Sequence, residues 1–247
     1  MPDPMHFDRH AALYDRARPP YPDSLRDRLR QLGLLTPGRR ALDLGAGSGQ
    51  ATRLLVDAGM DVTAVEPGPA LADILQQRFP QVHVVRSTAE EYVPEPGSLD
   101  LVTIATAVHW FDLDRVLPSL RQALAPGGRV AVWRTVYGDT SVPPSLFRER
   151  VQAIADRRDA PARPGPDETE TEAWARLLTA GGLFVVDHRE ELGWSIVLDA
   201  DGIQALFTTF SDWSEAEAEQ AAEAVRELGG TVVERYVTPL IVLAPAG

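Results

Sequence analysis

From Arg40 onward the chain alternates between two periodicities. Short apolar stretches at 41–44, 62–65, 82–85, 101–105 and 130–133 read as strands, and between them 51–58, 69–79 and 113–124 carry apolar residues at helical spacing. Such alternation predicts βαβ units and a parallel sheet. The punctuation agrees: Gly59 follows the first helix and Pro80 the second, while Ala125-Pro126-Gly127-Gly128 predicts a helix stop and a turn before the fifth strand. Upstream, Leu25, Leu29 and Leu32 share one stripe of a short helix that Gly33 and Pro37-Gly38 end.

Past Val136 the texture changes. Pro143-Pro144 precedes a predicted helix over 145–157, and a proline-rich connector follows at 160–166. Helical spacing returns at 171–178, a strand is predicted over 183–187, and two helices over 200–209 and 215–228 lead to a β-branched strand over 231–243 that Pro239 interrupts. The organisation expected is a helical leader (1–38), an α/β core (39–135), a helical cap insertion with its connector (136–182), and a last segment (183–247) that returns to the core sheet and adds cap helices.

Charge and missing residue types narrow the chemistry. With 36 acidic and 24 basic residues among 247, the net charge is −12, so binding to a phosphate backbone would work against long-range repulsion and no nucleic-acid partner is expected. The chain contains no Cys, Lys or Asn. That removes disulfides, a cysteine nucleophile, thiolate metal sites, Schiff-base and phosphate-binding lysines, and N-glycosylation. No apolar run reaches about 18 residues, and the opening Met1-Pro2-Asp3-Pro4-Met5-His6 has neither a basic nor an apolar targeting segment, so a cytoplasmic protein with no membrane association is expected.

The richest segment is Asp43-Leu44-Gly45-Ala46-Gly47-Ser48-Gly49, a strand running through three alternating glycines into a helix. Glycines here serve either tight packing or close approach of the backbone to a ligand, with the helix N-terminus attracting an anion. A dinucleotide site wants a third glycine one position later, where this chain has Gln50, which disfavours a nicotinamide-dependent oxidoreductase. Glu66, 23 residues after Asp43 and at the end of the next strand, suits a ribose diol. Together they point to a ribose-bearing cofactor without a pyrophosphate.

Over about residues 7–135 the chain resembles the class I S-adenosylmethionine-dependent methyltransferases, in particular the small-molecule group that includes trans-aconitate-type enzymes. The resemblance is carried by Phe7-Asp8, Ala11, Tyr14-Asp15, Arg18-Pro19 and Tyr21-Pro22, then by the glycine segment, Val65-Glu66-Pro67, Ser87-Thr88-Ala89-Glu90-Glu91, His109-Trp110-Phe111, and Leu124 with Pro126-Gly127-Gly128. It implies a Rossmann-like, doubly wound, seven-stranded sheet, with S-adenosylmethionine as cofactor and S-adenosylhomocysteine as product. It further implies that Asp43 and the loop of Gly45, Ala46, Gly47 and Gly49 face the methionyl part, and that Glu66 holds the ribose with Pro67 beside the adenine. Thr88, Ala89 and Glu90 take the adenine edge, Ala105 lies near the ammonium, and Tyr14 and Arg18 close over the carboxylate. Ser87 departs from the glycine common in relatives.

The expected reaction is methyl transfer to an O or N atom of a small molecule, in specialised metabolism, by a monomer or homodimer; a non-catalytic binding protein is the alternative. A sulfonium methyl is already activated, so orientation of the acceptor does most of the chemistry, and His109 is the candidate base where a proton must leave. The other reading of His109-Trp110-Phe111 is a packing corner. His6 and His10 belong to the leader, while His83 and His188 sit in predicted strands, and no metal-ligand spacing appears. Trp110, Tyr137, Phe207 and Phe210 are candidate acceptor contacts, with Phe147, Trp174, Trp194 and Trp213 as further wall residues or core. Arg148, Arg150, Arg157, Arg158 and Arg163 either attract an anionic acceptor or form a solvated, ion-paired face.

Overall fold

In the computed structural model, residues 8, 11–157 and 170–247 are described. Helices α1 (Ala11–Ala17) and α2 (Asp23–Gln31) lead into β1 (Arg40–Leu44), α3 (Gln50–Asp57), β2 (Asp61–Val65), α4 (Pro69–Arg78), β3 (His83–Val85), β4 (Leu99–Ala105), α5 (Leu113–Ala123) and β5 (Leu124–Trp133). Next come α6 (Leu146–Ala155), α7 (Thr171–Thr179), β6 (Phe184–Asp199), α8 (Ala200–Thr208), α9 (Glu215–Glu227) and β7 (Thr231–Pro245). The seven strands form one sheet in the order β3-β2-β1-β4-β5-β7-β6. The pairs among β1 to β5 are parallel and β7 runs antiparallel to β5. Strand order reverses between β1 and β4, and ligands of open α/β sheets sit at such a reversal, outside the carboxyl ends of the strands.

The described residues divide into two units. The larger holds 20–135, 170–192 and 238–247, the smaller 11–19, 136–157 and 193–237. In the larger, period-2 alternation sends neighbouring residues to opposite faces of the sheet. Leu42, Val102, Val130, Val132 and Ile241 join a core built with Val116 and Leu120 of α5 and Trp174 and Leu178 of α7. Ala41, Leu101, Ala131, Trp133 and Leu240 face a second core with Leu25 and Leu29 of α2, Leu55 of α3 and Leu75 of α4. In the smaller unit, Phe147, Val151, Ile203, Phe207, Ala218, Ala221, Ala222, Val225 and Tyr236 form one core. Its α9 starts on a reciprocal cap, Ser214 with Glu217.

Two strands differ from the sequence expectation. β6 runs to Asp199 rather than ending at Asp187. As the edge strand it is exposed at every second position from Asp187 onward, and two of its half-buried positions are polar: Glu190 pairs with Arg28 (2.6 Å) and with His188 (3.1 Å). These paired charges hide the apolar alternation that would mark a strand. β5 starts at Leu124, the last residue of the expected helix, and takes in the whole expected turn. Gly127 there has φ 82°, and the register against β4 shifts between Leu99 and Leu101, so the turn residues become an irregular strand start. Pro239 stays within β7, but at the place where the ladder to β5 ends at the Trp133–Leu240 pair. A single bridge, Val136–Val237, lies beyond it.

Candidate functional site

The carboxyl end of β1 is held from three sides. The Gly45 and Ala46 amides both donate to the Val65 carbonyl of β2 (2.9 and 3.0 Å). Asp43 is fully buried, and its two carboxylate oxygens accept from the hydroxyls of Thr52 on α3 (2.6 Å) and Thr103 on β4 (2.9 Å). Burial pushes its pKa up to about 6, against the lowering effect of those two hydrogen bonds. Asp43 thus ties a helix and a strand to the start of the glycine loop.

The three glycines have positive φ, 73° at Gly45, 57° at Gly47 and 93° at Gly49, but their surroundings differ. A Cβ on Gly45 would come within 2.6 Å of Ala107 Cβ and 3.3 Å of Phe111, and one on Gly49 within 2.9 Å of Phe79. Those two positions are closed by the protein itself. A Cβ on Gly47 would meet no atom of the described residues within 4 Å. The packing reading of the glycines thus holds at Gly45 and Gly49. Beside Gly47, Ser48 Oγ is buried and has no hydrogen-bond partner among the described residues.

Glu66, the residue after β2, is 7% exposed. Its Oε2 accepts from the Gly47 amide (2.8 Å) and its Oε1 from the Gly68 amide at the start of α4 (2.9 Å). A carboxylate here is held by two amide donors. Pro67 beside it is exposed, Ala89 is buried, and Thr88 and Ala105 are half-buried. Glu90 accepts from the Asp112 amide (2.9 Å), which ties the segment after β3 to the one that follows His109-Trp110-Phe111. His109 is exposed on a short 3-10 turn, its ring 5.0 Å from that of Trp110, while Phe111 packs against the core.

The smaller unit gathers a second set of sequence-predicted residues. The Arg18 guanidinium lies 5.1, 5.3 and 4.8 Å from the ring centres of Tyr14, Tyr137 and Phe210. It donates to the Tyr137 hydroxyl (2.8 Å) and the Thr209 carbonyl (3.0 Å). Phe210 also stacks near Phe207 (5.1 Å), which is buried. Phe147 and Trp213 pack on Phe207, and Trp194 on Tyr236. The arginines of α6 and of the turn after it are engaged within this unit: Arg148 with buried Glu234 and the Tyr137 carbonyl, Arg150 with Glu227 and Arg157 with Gln220. His6, His10, Arg158 and Arg163 lie outside the described residues. His83 is exposed on β3, and among the described residues no three His, Asp or Glu side chains group as a metal site.

Sequence reasoning missed several contributors. Thr103 is a polar residue inside an apolar strand, a visible signal, and Thr52 sits two positions into α3. Thr106, just past β4, is the only described non-glycine residue with positive φ (58°), and its hydroxyl lies 3.0 Å from the Tyr21 hydroxyl. Tyr21 lay within the leader motif, but nothing in the sequence marked Thr106.

A family profile described as "Methyltransferase domain" matches residues 42–132. A solved structure from Anaeromyxobacter dehalogenans assigned to the type II methyltransferases is 30% identical, with a TM-score of 0.64 over 92% of this chain and 96% of that one. An uncharacterized methyltransferase of Mycobacterium tuberculosis is 42% identical over 132 residues, 53% of each chain. The chain thus spans about half the length of the curated relatives it matches. A Haemonchus contortus phosphoethanolamine-type N-methyltransferase, solved with phosphomonomethylethanolamine and S-adenosylhomocysteine, shares the fold at 16% identity and a TM-score of 0.57, over 98% of this chain and 58% of that one. With the sheet order, the glycine loop at the strand reversal and the acid after β2 in place, the chain belongs to the class I S-adenosylmethionine-dependent methyltransferases, with S-adenosylmethionine as its cofactor.

Proposed function

We propose that the protein transfers a methyl group from S-adenosylmethionine to an O or N atom of a small molecule, at the carboxyl ends of β1, β2 and β4. The observation that carries this reading is the pairing of Gly47, open on its Cβ side, with a buried Glu66 whose carboxylate is pinned by the Gly47 and Gly68 amides. A ribose diol donates two hydroxyl protons, which a fixed carboxylate accepts. The buried Ser48 Oγ, without a hydrogen-bond partner among the described residues, adds a polar group at the same loop. In this reading Gly45, Ala46, Gly47 and Gly49 shape the methionyl cradle, and Pro67, Thr88, Ala89 and Glu90 border the adenine. Ala105 lies at the ammonium. Asp43, buried against Thr52 and Thr103, holds the cradle in shape.

S-adenosylmethionine supplies a methyl group on a sulfonium, activated for in-line displacement. The protein's own contribution is to hold the acceptor atom in line and exclude water. Exposed His109 beside Trp110 is the base where the acceptor must lose a proton. Tyr137 and Phe210, both half-buried, are the candidate acceptor wall in the smaller unit, with buried Phe207 supporting Phe210. Tyr14 and Arg18 are assigned to the cofactor carboxylate by resemblance. The hydrogen bonds of Arg18 to Tyr137 and Thr209 favour a second role for it, bracing that wall.

The test is a panel of small phenols, carboxylic acids and amines incubated with the protein and S-adenosylmethionine, read by mass spectrometry. A 14-dalton mass gain, the mass of an added CH2, on an O or N atom supports the reading. S-adenosylhomocysteine binding with no product across the panel favours the non-catalytic alternative.

A further inference from the structure

The segment between β4 and the 3-10 turn carries a strained residue at a place no sequence pattern marks. Thr106 is β-branched, and such residues at positive φ are genuine outliers that persist only where the surroundings enforce them. Three contacts do so. The Thr106 amide donates to the Trp133 carbonyl at the end of β5 (2.7 Å), its hydroxyl meets the Tyr21 hydroxyl (3.0 Å), and the Tyr21 ring stands edge-on to the Trp133 ring at 5.8 Å. Trp133 therefore grips both members of the pair, and it is itself buried.

The consequence falls on the glycine loop. The residue after Thr106 is Ala107, whose Cβ lies 2.6 Å from where a Gly45 Cβ would be. Ala107 rests directly on the first glycine of the cradle, with Phe111 beside it. A rotation of Thr106 back to negative φ would redirect the chain at Ala107 and remove that support.

We propose that Tyr21 is a positioning residue for cofactor binding: its hydroxyl holds Thr106 in the left-handed conformation that seats Ala107 on Gly45 and so fixes the cradle. The inference rests on the cofactor site proposed above. The pair acts through backbone geometry and is not assigned contact with the reacting atoms.

The experiment is a double-mutant cycle on the whole chain, with S-adenosylhomocysteine affinity measured by calorimetry and apo-protein stability by thermal unfolding. Tyr21→Phe removes one hydroxyl and should weaken the ligand about fivefold to tenfold, the scale of one hydrogen bond. Thr106→Gly should bind nearly as the wild type does, because glycine holds positive φ without strain. In the Thr106→Gly background Tyr21→Phe should then cost less than twofold. A purely structural tyrosine would lower the melting temperature without this coupling. Wild-type affinity in Tyr21→Phe, or the same weakening in both backgrounds, overturns the clamp. Failure of the wild type to bind S-adenosylhomocysteine instead overturns the cofactor site, and the clamp with it.

Discussion

Substituting alanine at Gly45 and at Gly47 separates the two uses of glycine in one loop. At Gly47 the new Cβ meets no atom of the described residues within 4 Å, so the stability cost expected is that of the positive φ of 57°, about 1–2 kcal/mol for a non-glycine residue. For a chain this size that lowers the melting temperature by about 2–8 °C. At Gly45 the same backbone strain is joined by a contact of 2.6 Å with Ala107 and 3.3 Å with Phe111, and overpacking of this kind adds about 1–3 kcal/mol. Gly45→Ala should therefore be the less stable variant. Affinity should not follow that order. The Gly47 methyl points into the space assigned to the cofactor, so Gly47→Ala should weaken S-adenosylhomocysteine binding at least tenfold, about 1.4 kcal/mol, in a protein that remains folded. Calorimetry and thermal unfolding on both variants read the two effects independently. Unchanged affinity in Gly47→Ala, or equal stability of the two variants, would refute the reasoning.

Other expectations follow from the same geometry. Glu66→Gln places an amide group where two backbone amides already donate, and should weaken S-adenosylhomocysteine by about tenfold or more on the calorimetric scale used for charged hydrogen bonds. Asp43 has its folded pKa raised to about 6 from 3.8, so the folded state holds the proton more tightly and the associated stability is full below about pH 4 and lost as pH rises through about 6. Denaturant unfolding should show Asp43→Asn gaining on the wild type by on the order of 3 kcal/mol between pH 4 and pH 7, and parallel pH profiles would reject that account. Arg148→Met strands the buried Glu234 carboxylate, whose pKa burial already raises against the pull of Arg148, and should cost about 3–5 kcal/mol in unfolding free energy. His109→Ala, at an exposed position, should change stability by less than about 0.5 kcal/mol and leave cofactor affinity intact while slowing turnover of any acceptor that must lose a proton.

Much of this was legible in the sequence where one periodicity dominated. Strands β1, β2 and β4 and helices α3 to α5 stand within a few residues of the expectation because those strands send apolar residues into both cores and each helix shows one apolar stripe. The glycine loop and Glu66 were legible for a different reason, since residue types at fixed spacing mark the reversal of strand order. The full length of β6 was not, because Glu190 and His188 occupy inward positions through pairing with Arg28 and each other. The division of labour among Gly45, Gly47 and Gly49 depends on Ala107, Phe111 and Phe79, which come from distant segments. Thr106 has no sequence signature because its conformation is imposed by Tyr21 and Trp133 across the sheet.

The central claim is tested most directly by thermal unfolding of the wild-type protein with S-adenosylmethionine, S-adenosylhomocysteine and NAD(P) in separate samples. Ligand at 100 times its dissociation constant adds about 2.7 kcal/mol of stability, a rise of roughly 5–10 °C for a chain of this size. That rise is expected with both sulfur nucleosides, and none with the nicotinamides. A protein free of co-purified ligand that shows no rise with either sulfur nucleoside, or that responds to NAD(P) instead, would contradict it.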